Sequence, residues 1–415
     1  MHCSENSVSQ QIIQATRIIL PCTLVLLTMD LWPFFTEPLS RGQTIGRDAY
    51  SFWSAGMLAF EGRTSEIYNN EAFSLAIKQL LGPEAGHHSF PYPPPALLGA
   101  FAFGWLPYKV TLFILSIAGF FAFLFAINFP DFKKNIVWLT ILMPLTWCNI
   151  VLGQNGLLTA ALFIGGLRLA NHRPIIAGIL IGCLAYKPTM AILIPMALLF
   201  ERRWIVIFSA TVTLLSLCII TTLMWGTEIW TIYLQHAIPF QRMFLEHGTG
   251  IGQTMKLTPF MSAHLLGYDT TSSYLLQLLF TIVTIGTVII YFLKKKRSGS
   301  FNALDITILA IATILIVPYN HFYDLAIITG SLLLLAAENT FTPKNMLLKS
   351  RIFVLLYILP ILGVLLNALL LPISPVILLI GLLMLYFTGS RAHAWGPNTD
   401  VSTKQENSPL RRGGA

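Results

Sequence analysis

Charge is scarce in this chain. Only 11% of its 415 residues are Asp, Glu, Lys or Arg, while 55% are hydrophobic, against about 25% charged in a typical soluble domain. That excludes a water-soluble globule. Cysteine is also sparse: Cys3, Cys22, Cys148, Cys183 and Cys218 show no paired metal-ligand spacing, which argues against a zinc site or a disulfide framework. They read as small core residues. There is no HExxH pattern and no glycine-rich phosphate loop, so neither a metalloprotease nor a nucleotide cradle is indicated. Tandem repeats and low-complexity tracts are absent as well.

What the chain has instead is long apolar runs. Several approach the roughly 20 residues that cross a bilayer. They lie at about 18–36, 94–128, 136–152, 156–170, 174–186, 189–200, 204–225, 272–293, 303–317, 321–338, 352–368 and 372–388. This pattern predicts an all-α polytopic membrane protein with about twelve crossings. Residues 18–36 have only Arg17 beside them and no small-residue cleavage site after them, so a retained first helix is expected rather than a signal peptide. The run 94–128 is too long for one upright helix, and Pro107 is expected to divide it into a surface piece and a crossing piece. Residues 1–390 form one membrane unit in this reading, and 391–415 a disordered cytoplasmic tail.

The formal charge of +8 is a topology signal rather than a mark of nucleic-acid binding. The basic residues fall in short clusters: Lys133-Lys134, Arg168 with Arg173, Arg202-Arg203, Lys294 to Arg297, Lys344 with Lys349 and Arg351, and the tail. With twelve crossings these clusters share one side, which is therefore the cytoplasm. The long loops at about 38–93 and 226–271 then face outward. So do the polar ends of several helices, and a cavity roofed by outer loops is the expected consequence.

The outer segments hold the candidate chemistry. In Gly46-Arg47-Asp48-Ala49-Tyr50-Ser51-Phe52-Trp53 a carboxylate sits among rings and an arginine at the edge of the bilayer, where it can act on a polar substrate. Asp48 is the candidate base. Tyr50, Trp53 and Tyr92 either stack on sugar rings or form an interfacial belt. Gln154 and Asn155 are either a tight turn or ligands for a hydroxylated substrate. Lys187 follows an apolar run and precedes Pro188; it either pairs with an anion such as a lipid phosphate or snorkels to the interface. In Pro318-Tyr319-Asn320-His321-Phe322-Tyr323-Asp324, His321 and Asp324 lie one helical turn apart, so the carboxylate can orient the imidazole or simply cap a helix.

In order and spacing these segments resemble glycosyltransferase family 87, the polyprenol-phosphate-mannose-dependent α-mannosyltransferases of the C-type (GT-C) superfamily. The resemblance runs from Asp48 with Gly62 and Tyr68, through Tyr92-Pro93-Pro94, Gly153-Gln154-Asn155, Lys187-Pro188 and Arg202-Arg203-Trp204, to Pro318–Asp324, across roughly residues 18–390. It implies a GT-C-type fold with Asp48 as catalytic aspartate and His321 as an active-site histidine. The substrate contacts expected around them are Arg47, Tyr50, Trp53, Tyr92, Gln154, Asn155, Lys187, Tyr319 and Asp324.

The implied reaction moves a hexose, mannose by resemblance, from a polyprenyl-phosphate donor to a glycan or glycolipid acceptor. It takes place at the outer face of the cell inner (plasma) membrane by a single inverting displacement, and it calls for no cofactor, metal or nucleic acid. A polytopic transporter or lipid flippase is the rival class. It accounts for Lys187 and the helix-breaking prolines, but not for a long outer loop carrying a carboxylate and an aromatic cluster.

Overall fold

The computed structural model describes residues 48–337 and 346–394, apart from 84, 86, 87, 131 and 296–299, together with Gly46 and a few positions between 16 and 24. Arg47, most of the expected first span and residues 395–415 lie outside the described residues. Among the described residues every regular element is helical.

The first outer segment is itself folded. It contains α1 (Ala49–Phe60) and α2 (Asn70–Leu81), and Leu58, Ile67, Phe73 and Ile77 lie in a small core that also takes in Phe90, Leu97 and Ile229. The run 94–128 divides as expected, into α3 (Ala96–Gly104) and α4 (Tyr108–Asn128) on either side of Pro107. Next comes a break that the sequence pattern hides. The run 136–152 is two helices, α5 (Lys134–Leu142) and α6 (Pro144–Leu152), bent by 50° at Met143. Pro144 cannot donate an amide hydrogen to continue α5, so the apolar run turns without any polar residue marking the place.

The remaining α-helices of seven or more residues are α7 (Gly156–Leu169), α8 (Pro174–Cys183), α9 (Ile194–Phe200), α10 (Trp204–Trp225), α11 (Ile238–His247), α12 (Pro259–Leu265), α13 (Thr270–Lys294), α14 (Ala303–Ile316), α15 (Ala326–Ala337), α16 (Met346–Ala368) and α17 (Ser374–Ala394). The last runs past residue 391, where a disordered tail was expected to begin.

Among the described residues four helices are long and apolar enough to cross a membrane alone: α4, α10, α13 and residues 351–368 of α16. The bent α5–α6 pair would make a fifth. Six further apolar helices have only 10–17 residues. The division follows burial. The long helix α10 faces outward, with Phe208 72% and Leu223 80% exposed. The short helices α7, α14 and α15 are buried along most of their length and form the main core. Irregular backbone at membrane depth is tolerated only where protein or a water-filled cavity surrounds it. Enclosed helices can therefore stop short, and it is at their ends that a site can form.

Two close approaches fix the framework. Gly178 and Gly182 let α8 lie directly on α10, since a Cβ on either would come within 2.5 Å of a side chain there, the small-xxx-small contact of membrane helices. Gly56 and Gly104 bring α1 against α3 in the same way.

Helix α7 joins the two ends of the bundle. At its C-terminal end, Asn171 bonds the Phe301 carbonyl and Arg203, and Lys295 is buried between Glu201 (3.0 Å) and Asp305 (2.7 Å). Thus Arg203 and Lys295 of the basic clusters share this end, and the polar segments 153–155, 186–188 and 318–324 gather at the other.

Candidate active site

The Asp48 segment is held onto the end of α6. A helix leaves its last carbonyls without intrahelical partners, and here the Gly46 N–H donates to Val151 O (2.7 Å) and the Asp48 N–H to Leu152 O (3.1 Å). Gly153 closes α6 in the left-handed region at φ 70°, and a Cβ there would lie 2.8 Å from Gly46 and Ala49. Both the turn and the close approach therefore require glycine. The next residue, Gln154, donates from Nε2 to Asp48 Oδ2 at 2.6 Å, and Asp48 itself occupies the N-cap position of α1.

Around it, Asn155 Nδ2 donates to the Tyr92 hydroxyl (2.7 Å), and the Tyr68 hydroxyl to the Tyr92 carbonyl (3.0 Å). Asp48, Gln154, Asn155 and Tyr92 line a cavity of about 360 Å³ whose other walls are largely apolar, with Leu98, Leu112, Leu158 and Leu217 among them.

A second cavity of about 300 Å³ shares Tyr92 and Tyr186 with the first. Its lining is more polar: Lys187, Gln241, Lys256, Tyr319, His321, Tyr323 and Asp324. Lys187 is ion-paired with Asp324, which is 1% exposed. The other Asp324 oxygen accepts the His321 backbone N–H at 3.2 Å. The carboxylate thus fixes the loop and the lysine rather than the imidazole. The His321 ring stacks on Tyr323, with centroids 5.2 Å apart and planes 3° from parallel. Tyr92 and Tyr186, which line both cavities, are the side chains that link them. Burial, helped by the nearby Lys256 and Lys187 charges, pulls the His321 pKa down to about 3, so the ring is neutral.

Most of the residues expected from sequence meet here. Asp48, Tyr92, Gln154 and Asn155 line the first cavity; Lys187, Tyr319, His321 and Asp324 line the second. Tyr50 and Trp53 do not. They are 2% and 6% exposed and pack on Tyr108, with Trp53 Nε1 donating to the Leu106 carbonyl at 2.9 Å. The helical turn carries both rings to the face of α1 away from the cavities, so their role is to hold α1 in place. Lys256 and Tyr323 were not singled out by sequence. Lys256 is a single cation in the long 226–271 loop, and what sets it apart is that no described carboxylate pairs with it, which sequence does not display. No group of three or more His, Cys, Asp or Glu able to hold a metal occurs among the described residues.

The family model of glycosyltransferase family 87 matches residues 90–318, more than half of the chain. The chain belongs to glycosyltransferase family 87. It is a membrane glycosyltransferase, which sets the transporter reading aside. No curated protein and no solved structure matched it. The family 87 match takes in Tyr92, Gln154, Asn155, Lys187 and Lys256, and it stops short of Asp48 on one side and His321 on the other. Each of those two lines a cavity together with residues inside the matched region.

Proposed function

We propose that this glycosyltransferase moves a hexose, with mannose as the first sugar to test, from a polyprenyl phosphate to a lipid-linked or cell-envelope glycan, with Asp48 as general base. One observation carries the reading: Asp48 is held by its own backbone on α6 and lines a cavity whose walls are mostly apolar. A lipid-linked substrate suits such a wall. Asp48 takes the proton of the acceptor hydroxyl as that oxygen attacks the anomeric carbon, a step typically worth about 10²–10⁴ in rate. The phosphate departs on the opposite side, so the configuration inverts.

The six short helices, the bent pair, the four long helices and the expected first span complete twelve crossings of a GT-C-type fold. The basic end then lies in the cytoplasm and the site at the outer face of the plasma membrane. Lys187 has a structural part in this scheme. Its charge is met by Asp324, and the pair ties the 318–324 loop to the turn before Pro188.

The test is transfer of radiolabelled mannose from polyprenyl phosphate in proteoliposomes. Wild-type protein should transfer the sugar, and a folded Asp48→Asn variant should lose about 10²-fold or more. Undiminished transfer by that variant removes Asp48 as the base. Absence of transfer by the wild type from any lipid-phosphate sugar overturns the donor class.

A further inference from the structure

The second cavity contains a buried cation for which the described residues supply no carboxylate partner. Lys256 is 2% exposed and lines the cavity. Its ammonium donates to Gln253 Oε1 at 2.7 Å and lies 4.3 Å from the centre of the Phe244 ring. Among the described residues it makes no ion pair with a carboxylate, whereas Lys187, the other lysine of this cavity, is paired with Asp324. Nor is Lys256 loosely held. The Phe322 N–H donates to the Met255 carbonyl (2.8 Å) and Asn367 Nδ2 to the Lys256 carbonyl (3.1 Å). It is thus fixed to the same loop that carries His321 and Asp324. Burying a charge without a counter-ion is costly, and here burial alone lowers the lysine's pKa to about 8. A ligand that brings the anion relieves that cost.

We propose that Lys256 anchors the phosphate of the donor, so that the second cavity is the leaving-group site of the transfer. This rests on the lipid-phosphate reading above. In that reaction the bond from the anomeric carbon to the phosphate oxygen breaks, its electron pair remains on the phosphate, the acceptor oxygen bonds the carbon, and the acceptor proton goes to Asp48. Lys256 keeps its proton throughout. The phosphate gains negative charge as the bond breaks, so a fixed ammonium stabilises the transition state and product more than the bound donor. Neutral His321 and the already paired Lys187 cannot supply that charge. Lys256 is therefore a catalytic residue acting on the leaving group.

The experiment is equilibrium binding of farnesyl phosphate, farnesol and inorganic phosphate to the purified full chain in detergent, using wild type, Lys256→Gln, Lys256→Met and Lys256→Arg. Wild type and the arginine variant should prefer farnesyl phosphate to farnesol by about tenfold or more, and the two neutral variants should lose that preference while still binding farnesol. Two neutral variants are used because the amide keeps a donor for Gln253 and the thioether does not. If both fold, bind farnesol and still prefer the phosphate as wild type does, the anchor is refuted. Displacement of farnesyl phosphate by inorganic phosphate at similar concentration also overturns it, in favour of a free-phosphate site. Sugar transfer, measured separately, distinguishes the two levels. Wild type without transfer but with a Lys256-dependent phosphate preference keeps the anchor and loses the reaction. Transfer with unchanged kcat/KM for donor in the neutral variants keeps the reaction and loses the anchor.

Discussion

Lys187 and Asp324, 137 positions apart in the chain, form an ion pair on the wall of the second cavity, with side chains 16% and 2% exposed. The pair joins the break before Pro188 to the loop ahead of α15. It uses two charges that sequence alone would assign to substrate. A buried pair contributes little net stability, but removing one partner leaves the other charge uncompensated, typically at about 3–5 kcal/mol.

Lys187→Ala and Asp324→Ala should therefore each lower stability by about 3 kcal/mol, and Lys187→Met with Asp324→Leu in one chain should recover most of that loss. Thermal unfolding in detergent measures all three. If the double substitution is as damaging as the sum of the singles, the two charges do not act on each other.

A large part of this site was legible in the sequence because polar residues at the ends of apolar runs have few places to go. Asp48, Tyr92, Gln154 and Asn155 were found that way, and Pro107 marked its own break. The bend at Met143 was hidden inside a continuous apolar run. Tyr50 and Trp53 were misread because a ring near a carboxylate looks the same whether α1 turns it toward the cavity or toward Tyr108. Lys187 and Lys256 look equally unusual as letters. Only the fold shows that, among the described residues, one has a carboxylate beside it and the other does not.

The contact between α1 and α3 allows almost no change. A Cβ at Gly56 would lie 2.1 Å from the Ala100 carbonyl oxygen, a backbone atom that no rotamer can move aside. Gly56→Ala should cost about 1–3 kcal/mol or more through overpacking, and transfer should fall as α1 shifts with Asp48 at its start. Near-wild-type melting and activity together would show that the two helices can part without disturbing the site.

Acid should weaken the protein through His321. Its folded pKa of about 3 lies below the ordinary value of about 6.5, so the unfolded chain takes up a proton here that the folded chain refuses. This contribution is fully present above about pH 6.5 and is lost as the pH falls toward 3. Between pH 7 and 5 it amounts to about 1–2 kcal/mol. His321→Gln should flatten that part of the stability curve measured by thermal unfolding. An unchanged slope in the variant would assign the acid sensitivity to another group.

Gln154 offers the most direct test of how Asp48 is set for its task. Its amide donates to Asp48 Oδ2 at 2.6 Å. A hydrogen bond to the ionised form favours that form, and a carboxylate placed in the same position opposes it. Gln154→Leu removes the donor, leaving Asp48 held by its backbone but less well oriented, and transfer should fall by about tenfold. Gln154→Glu changes little in size and sets a second carboxylate against the first. The Asp48 pKa must then rise, and because the base acts only when ionised, the acidic limb of the rate–pH profile should move up by about one unit or more. Activity lost at neutral pH in this variant should return as the pH is raised, which a merely misfolded protein would not show. An acidic limb that stays in place in a folded, active Gln154→Glu protein would mean that the group titrating in catalysis is not the one Gln154 touches.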